Sequence, residues 1–135
     1  MMAKPVCRVL IPETLEQAFP LVVALLEGLG VSLANPGNAK ITTWTDEGDQ
    51  KEIVDTSVVR QVVSGAVSNV QFWKTGSEDV FVTWKEGNGG CRFSFYLDGV
   101  DPVFAAALTS KLAETVLVTF RFHYDEGTVF TVEFE

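Results

Sequence analysis

Between residues 79 and 97 the chain alternates apolar and polar side chains with a period of two, interrupted once by Gly87-Asn88-Gly89-Gly90. Val80, Val82 and Trp84 precede the break, and Phe93, Phe95 and Leu97 follow it. Such alternation fits a strand buried on one face only, and two such runs around a glycine-rich turn make an antiparallel hairpin. Closing the turn at Glu86 and Cys91 sets Trp84 against Phe93, Val82 against Phe95 and Val80 against Leu97. A slip of one residue would scatter the large apolar groups over both faces, so burial selects this register and calls for helices over the apolar face.

The flanking segments supply those helices and further strands. Residues 6–11 form a short, β-branched apolar run ending at Pro12 and are predicted as a buried strand holding Cys7. Thr14 and Gln17 have capping-box spacing, and Leu15, Ala18, Phe19, Val22, Leu25, Leu26 and Leu29 recur at helical intervals up to Gly28 and Gly30. Pro20 either kinks this helix or starts it. Residues 40–45, with Trp44, are predicted as a strand, and residues 56–64 as a helix capped by Asp55 or Thr56 and stopped by Gly65.

Residues 68–74 pair with residues 79–86 across a four-residue loop, Thr75 to Glu78, which sets Trp73 against Val80 and Phe72 against Phe81. After the Asp98-Gly99 turn, Asp101 caps a helix entered through Pro102, with Phe104, Ala107, Leu108 and Leu112 on one stripe. Residues 116–124 and 128–135 read as a closing hairpin around Asp125-Glu126-Gly127, pairing Phe122 with Phe130, Phe120 with Val132 and Val118 with Phe134. Together these segments predict one α+β domain over residues 1–135. Its sheet is mainly antiparallel, with about three helices packed mostly on one face, in the order β-α-β-α-β-β-β-α-β-β.

Charge narrows the function classes. With 10 basic and 18 acidic residues the net charge is -8, which repels nucleic-acid backbones and anionic membrane surfaces and complements a basic protein partner. The longest apolar run, residues 19–26, is broken by Pro20 and too short to span a bilayer. Cys7 and Cys91 share no metal or disulfide-framework spacing, so neither a metal nor another cofactor is expected, and a reducing, cytoplasmic setting fits best.

No catalytic or nucleotide-binding constellation stands out. The Gly87–Gly90 loop joins antiparallel strands and lacks the lysine and following helix of a phosphate cradle, while Asp98 and Asp101 are accounted for as turn and cap. The expectation is therefore a non-catalytic binding or regulatory protein, of the inhibitor or immunity kind. The candidate surface is the stripe Phe72, Phe81 and Tyr96 with Arg92 at its edge, on the less apolar side of the sheet. A second candidate is an acidic contact loop of Asp46, Glu47, Asp49 and Glu52, in a stretch that also reads as a solvated hairpin tip or connecting loop. Two alternatives remain open: a small-molecule binder or enzyme with a sheet–helix pocket involving Trp44, Trp84, Cys91 or His123, and self-association through an unpaired strand edge.

Overall fold

The computed structural model describes residues 3–54 and 57–135, so the proposed caps Asp55 and Thr56 lie outside the described residues. The strands are β1 (Pro5–Ile11), β2 (Ile41–Trp44), β3 (Gln50–Ile53), β4 (Asn69–Trp73), β5 (Asp79–Gly87), β6 (Gly90–Tyr96) and β7 (Phe130–Phe134). The helices are α1 (Leu15–Glu27), α2 (Val58–Ser64) and α3 (Pro102–Glu114). All seven strands form one antiparallel sheet in the order β3-β2-β4-β5-β6-β1-β7. This is the expected α+β architecture.

The central hairpin adopts the register that burial demands, with Val82 opposite Phe95, Trp84 opposite Phe93 and Glu86 opposite Cys91. Strand β1 lies along β6 and extends the same face, placing Cys7 beside Phe95 and Val9 beside Phe93. All three helices contribute to the core built on that face, through Leu15, Phe19, Val22 and Leu26 of α1, Val58 and Val62 of α2, and Leu108 and Leu112 of α3. Phe19 meets Trp84 edge-on, with ring centroids 5.3 Å apart. Each fully buried side chain of this size stabilises the fold by roughly 1.5–3 kcal/mol relative to exposure. Gly90 is required where β6 begins, because a Cβ there would overlap the Ile11 carbonyl of β1.

Several local signals operate as the sequence implies. Asp101 accepts a hydrogen bond from the Phe104 amide at 3.0 Å, with Pro102 in the first turn of α3. Gly65 ends α2 in the left-handed conformation at φ 84°. At the start of α1, by contrast, the Thr14 side chain makes no capping hydrogen bond, and Pro20 sits inside the helix on its exposed side.

Three segments depart from expectation. The β4–β5 loop closes between Lys74 and Glu78, so Phe72 faces Val80 and Trp73 faces Asp79. The register inferred from loop length would have buried Asn69, Gln71 and Trp73. The observed one buries Val70 and Phe72 completely instead, leaves Gln71 half-buried, and satisfies the buried Asn69 amide through Thr43 and the Trp44 backbone. In the acidic stretch, residues 45–49 form the turn expected of a hairpin tip, but residues 50–53 add a strand absent from the expected order, β3, at the edge against β2.

The largest departure is near the C-terminus, where no strand forms over residues 116–124. Helix α3 runs on into a π-helical turn (Thr115–Thr119), in which the Phe120 amide reaches the Thr115 carbonyl at 3.0 Å. Thr115, Val116 and Phe120 are buried there, whereas Leu117 and Val118 face outward. Strand β7 pairs with β1 instead, and Arg8 donates to Glu133 at 2.6 Å. The continuous helical run Pro102–Thr119 is long and apolar enough, by length and composition, to cross a membrane; 22% of it is buried against the rest of the chain.

The placement of Phe72 is testable by unfolding. Phe72→Ala should cost about 3–5 kcal/mol in urea denaturation, whereas a surface phenylalanine on the opposite face would cost no more than roughly 0.5 kcal/mol. A small loss would restore the register read from the loop.

Candidate functional site

The helix-free face of the sheet carries a different chemistry. Pairing aligns Thr42, Gln71, Phe81, Tyr96 and Val6 in one row across β2, β4, β5, β6 and β1. Around this row a cleft of about 400 Å³ is lined by Trp44, Gln71, Asp79, Phe81, Tyr96, Asp98, Gly99 and Lys4. Phe81 and Tyr96 form its floor as a tilted aromatic pair, 5.7 Å between centroids.

Polar groups fix one wall. The Trp44 indole Nε1 donates to Gln71 Oε1 at 2.9 Å, and Gln71 Nε2 donates to Asp79 Oδ2 at 2.9 Å. An indole only donates and a carboxylate only accepts, so the two neighbours together fix which way the Gln71 amide points. Gly99 admits the Asp79 carboxylate, because a Cβ at that position would overlap it. On the rim, Lys4 lies 3.8 Å from Asp98, with both side chains substantially exposed. The cleft is therefore an aromatic floor with two carboxylates and one loosely held cation.

The structure brings Phe81 and Tyr96 together but separates the other members of the proposed stripe. Phe72 is fully buried on the helix-covered face and cannot belong to an exposed surface, a direct consequence of the β4 register. Arg92 shares the open face with Tyr96, but four residues along a strand is roughly 13 Å, and its guanidinium donates to the Thr128 carbonyl at 3.2 Å. Asp46, Glu47, Asp49 and Glu52 are all exposed on the β2–β3 hairpin, with Glu52 paired to Lys40 at 2.9 Å. The cleft residues that sequence reasoning missed are Gln71, Asp79 and Lys4, together with Asp98 and Gly99, which it read only as a turn. Only the correct β4 register would have aligned Gln71 with Phe81.

Of the alternative pocket residues, Trp44 joins the open-face cleft, while Trp84 packs against Phe19. Cys91 is buried and lines a shallow depression with Pro12 and Glu86. His123 is exposed, stacks edge-on against Phe120 and lines a separate cavity with Leu10 and Arg92. Among the described residues no hydrogen bond joins the thiol to the imidazole, and burial together with the Glu86 carboxylate pushes the Cys91 thiol up, away from the thiolate a nucleophile needs. Burial alone pushes Cys7 up to about 11. Among the described residues no cluster of three or more histidine, cysteine or acidic side chains could hold a metal ion.

No protein-family model, curated protein or solved structure matches this chain.

Two experiments test this arrangement. In Gln71→Ala the Trp44 indole N–H loses its acceptor, so its NMR resonance should move and exchange faster with solvent, while that of Trp84 stays in place. An unmoved Trp44 signal would break the proposed wall. Both cysteines should resist alkylation in the native protein at pH 8 and react in guanidinium chloride. Because the folded-state pKa of Cys7 is raised, its contribution is intact below the unfolded value of 9.0 and is lost as pH climbs through about 11. Urea stability should therefore fall across that alkaline window, and less steeply in Cys7→Ala.

Proposed function

We propose that this chain is a small acidic binding protein that engages a basic protein partner through the open face of its sheet, as inhibitor and immunity proteins do. The observation that carries this reading is the cleft itself, with aromatic rings and carboxylates converging on a sheet face that no helix covers. A cation above an aromatic face gains about 0.5–2 kcal/mol, more as water is excluded, and a neighbouring carboxylate adds a charge-assisted hydrogen bond. An arginine or lysine side chain from the partner satisfies both demands, and a volume of about 400 Å³ suits a group of that size. The Lys4–Asp98 contact is long and exposed, so releasing Asp98 to a partner costs little. The net charge of -8 steers a basic partner towards the whole molecule. The acidic turn of the β2–β3 hairpin follows Trp44, which lines the cleft, and extends the negative surface beyond it.

Affinity capture from the native host, with mass spectrometry of the retained proteins, tests the proposal. Wild-type protein should retain a basic protein in a salt-sensitive manner, and Phe81→Ala, Tyr96→Ala and Asp79→Asn should each reduce retention at least tenfold. Retention unchanged in all three variants would remove the cleft from the interface. Binding of free arginine derivatives with no protein retained would favour a small-molecule binder.

A further inference from the structure

The two edges of the sheet are built differently. Strand β3 at one edge exposes Gln50, Lys51 and Glu52, charged and amide side chains that discourage strand addition. Strand β7 at the other edge carries no lysine or proline, and its Val132 and Phe134 are 50% and 69% exposed. Both belong to the row Phe130, Val132, Phe134, whose β1 neighbours are Val9, Cys7 and Pro5 on the helix-covered face.

The backbone of β7 is poised in the same way. Lys4 and Glu135 exchange both of their main-chain hydrogen bonds, at 2.7 and 2.9 Å, so the odd-numbered residues of β7 bond to β1. By the alternation of an antiparallel ladder, the N–H and C=O groups of Phe130, Val132 and Phe134 point away from β1, towards the open edge.

We propose that this edge is an interface between two copies of the chain, joined by antiparallel pairing of β7 with its counterpart about a two-fold axis at Val132. Self-complementarity selects both the occupant and the register. Centred on Val132, Phe130 faces Phe134 of the second copy, Val132 faces itself, and every outward N–H and C=O of the row finds a partner. On the other face Thr131 faces Glu133. Centring on Glu133 would set two glutamates opposite each other, and centring on Thr131 would pull Phe134 out of the pair. The acidic charge beside the edge is partly offset, because the single Arg8 holds both Glu133 at 2.6 Å and Glu135 at 2.7 Å.

The area available sets the strength. Phe134 offers roughly 150 Å² of apolar surface, so a single strand pair stays near the low end of specific interfaces, below about 1,200 Å² in total, where association is weak or transient. The dimer should therefore form at the upper end of a concentration series.

Sedimentation from about 10 µM to about 1 mM should show reversible dimerisation in the wild type, weakened at least tenfold by Val132→Lys, with the circular dichroism of the variant unchanged. The register is tested by oxidative cross-linking. Val132→Cys places two thiols on a pair about 5.5 Å apart at Cα, within disulfide reach, whereas Thr131→Cys faces Glu133 and should link far more slowly. Buried Cys7 and Cys91 supply no background. A monomer throughout the range, partition onto lipid vesicles without dimerisation, or cross-linking of Thr131→Cys as fast as Val132→Cys would each overturn the proposal.

Discussion

The pairing of Val82 with Phe95 and of Trp84 with Phe93 is the contact on which the rest of the molecule depends. A strand presents alternate residues to opposite faces, so committing these four side chains to one face commits their neighbours to the other. Thr83, Ser94, Phe81 and Tyr96 are left on the open side by the same geometric fact that builds the core. The helices then have only one face to cover, and their buried side chains join the core formed there. The cleft is thus a by-product of where the core had to be, furnished with residues that the core did not need.

How much of this was legible in the sequence depended on whether a segment's partner was local. The β5–β6 register, the α3 cap and the stop of α2 rest on residues a few positions apart, and their chemistry is visible in the chain. The β4 register was not legible from its loop, because a loop closing at Lys74 and Glu78 differs by one residue from one closing at Lys74 and Asp79. Only the placing of Val70 and Phe72, and not Gln71 and Trp73, on the core face separates them. That single residue moved Phe72 into the core and brought Gln71, which joins Trp44 to Asp79, into the candidate site. Phe81 and Tyr96 survived because their alignment belongs to the unambiguous hairpin.

The polar side of the cleft has little to do with stability. Exposed ion pairs such as Lys4–Asp98 contribute about 0–1 kcal/mol, and the Trp44–Gln71–Asp79 chain lies at the surface, where water competes for every group. Its effect is on orientation: the indole and the carboxylate are both held by one amide that cannot flip without losing both bonds. Groups held at so small an energetic gain can exchange their present partners for others at little cost.

The apolar edge and the misread C-terminal segment have one physical origin. Residues 115–120 are rich in β-branched and aromatic groups and could have served as a strand beside β7, in which case Arg121 and His123 would have lain on the sheet's last strand. Continuing α3 instead satisfies their backbone within the helix and buries Thr115, Val116 and Phe120 through the π-helical turn. The consequence falls on β7, which pairs with β1 on one side and keeps an open ladder on the other. A strand with alternating apolar residues and a free hydrogen-bonding edge is what sheets otherwise protect with charge, proline or a covering element. The helix that replaced the expected hairpin therefore leaves β7, and not a further strand, as this edge of the sheet.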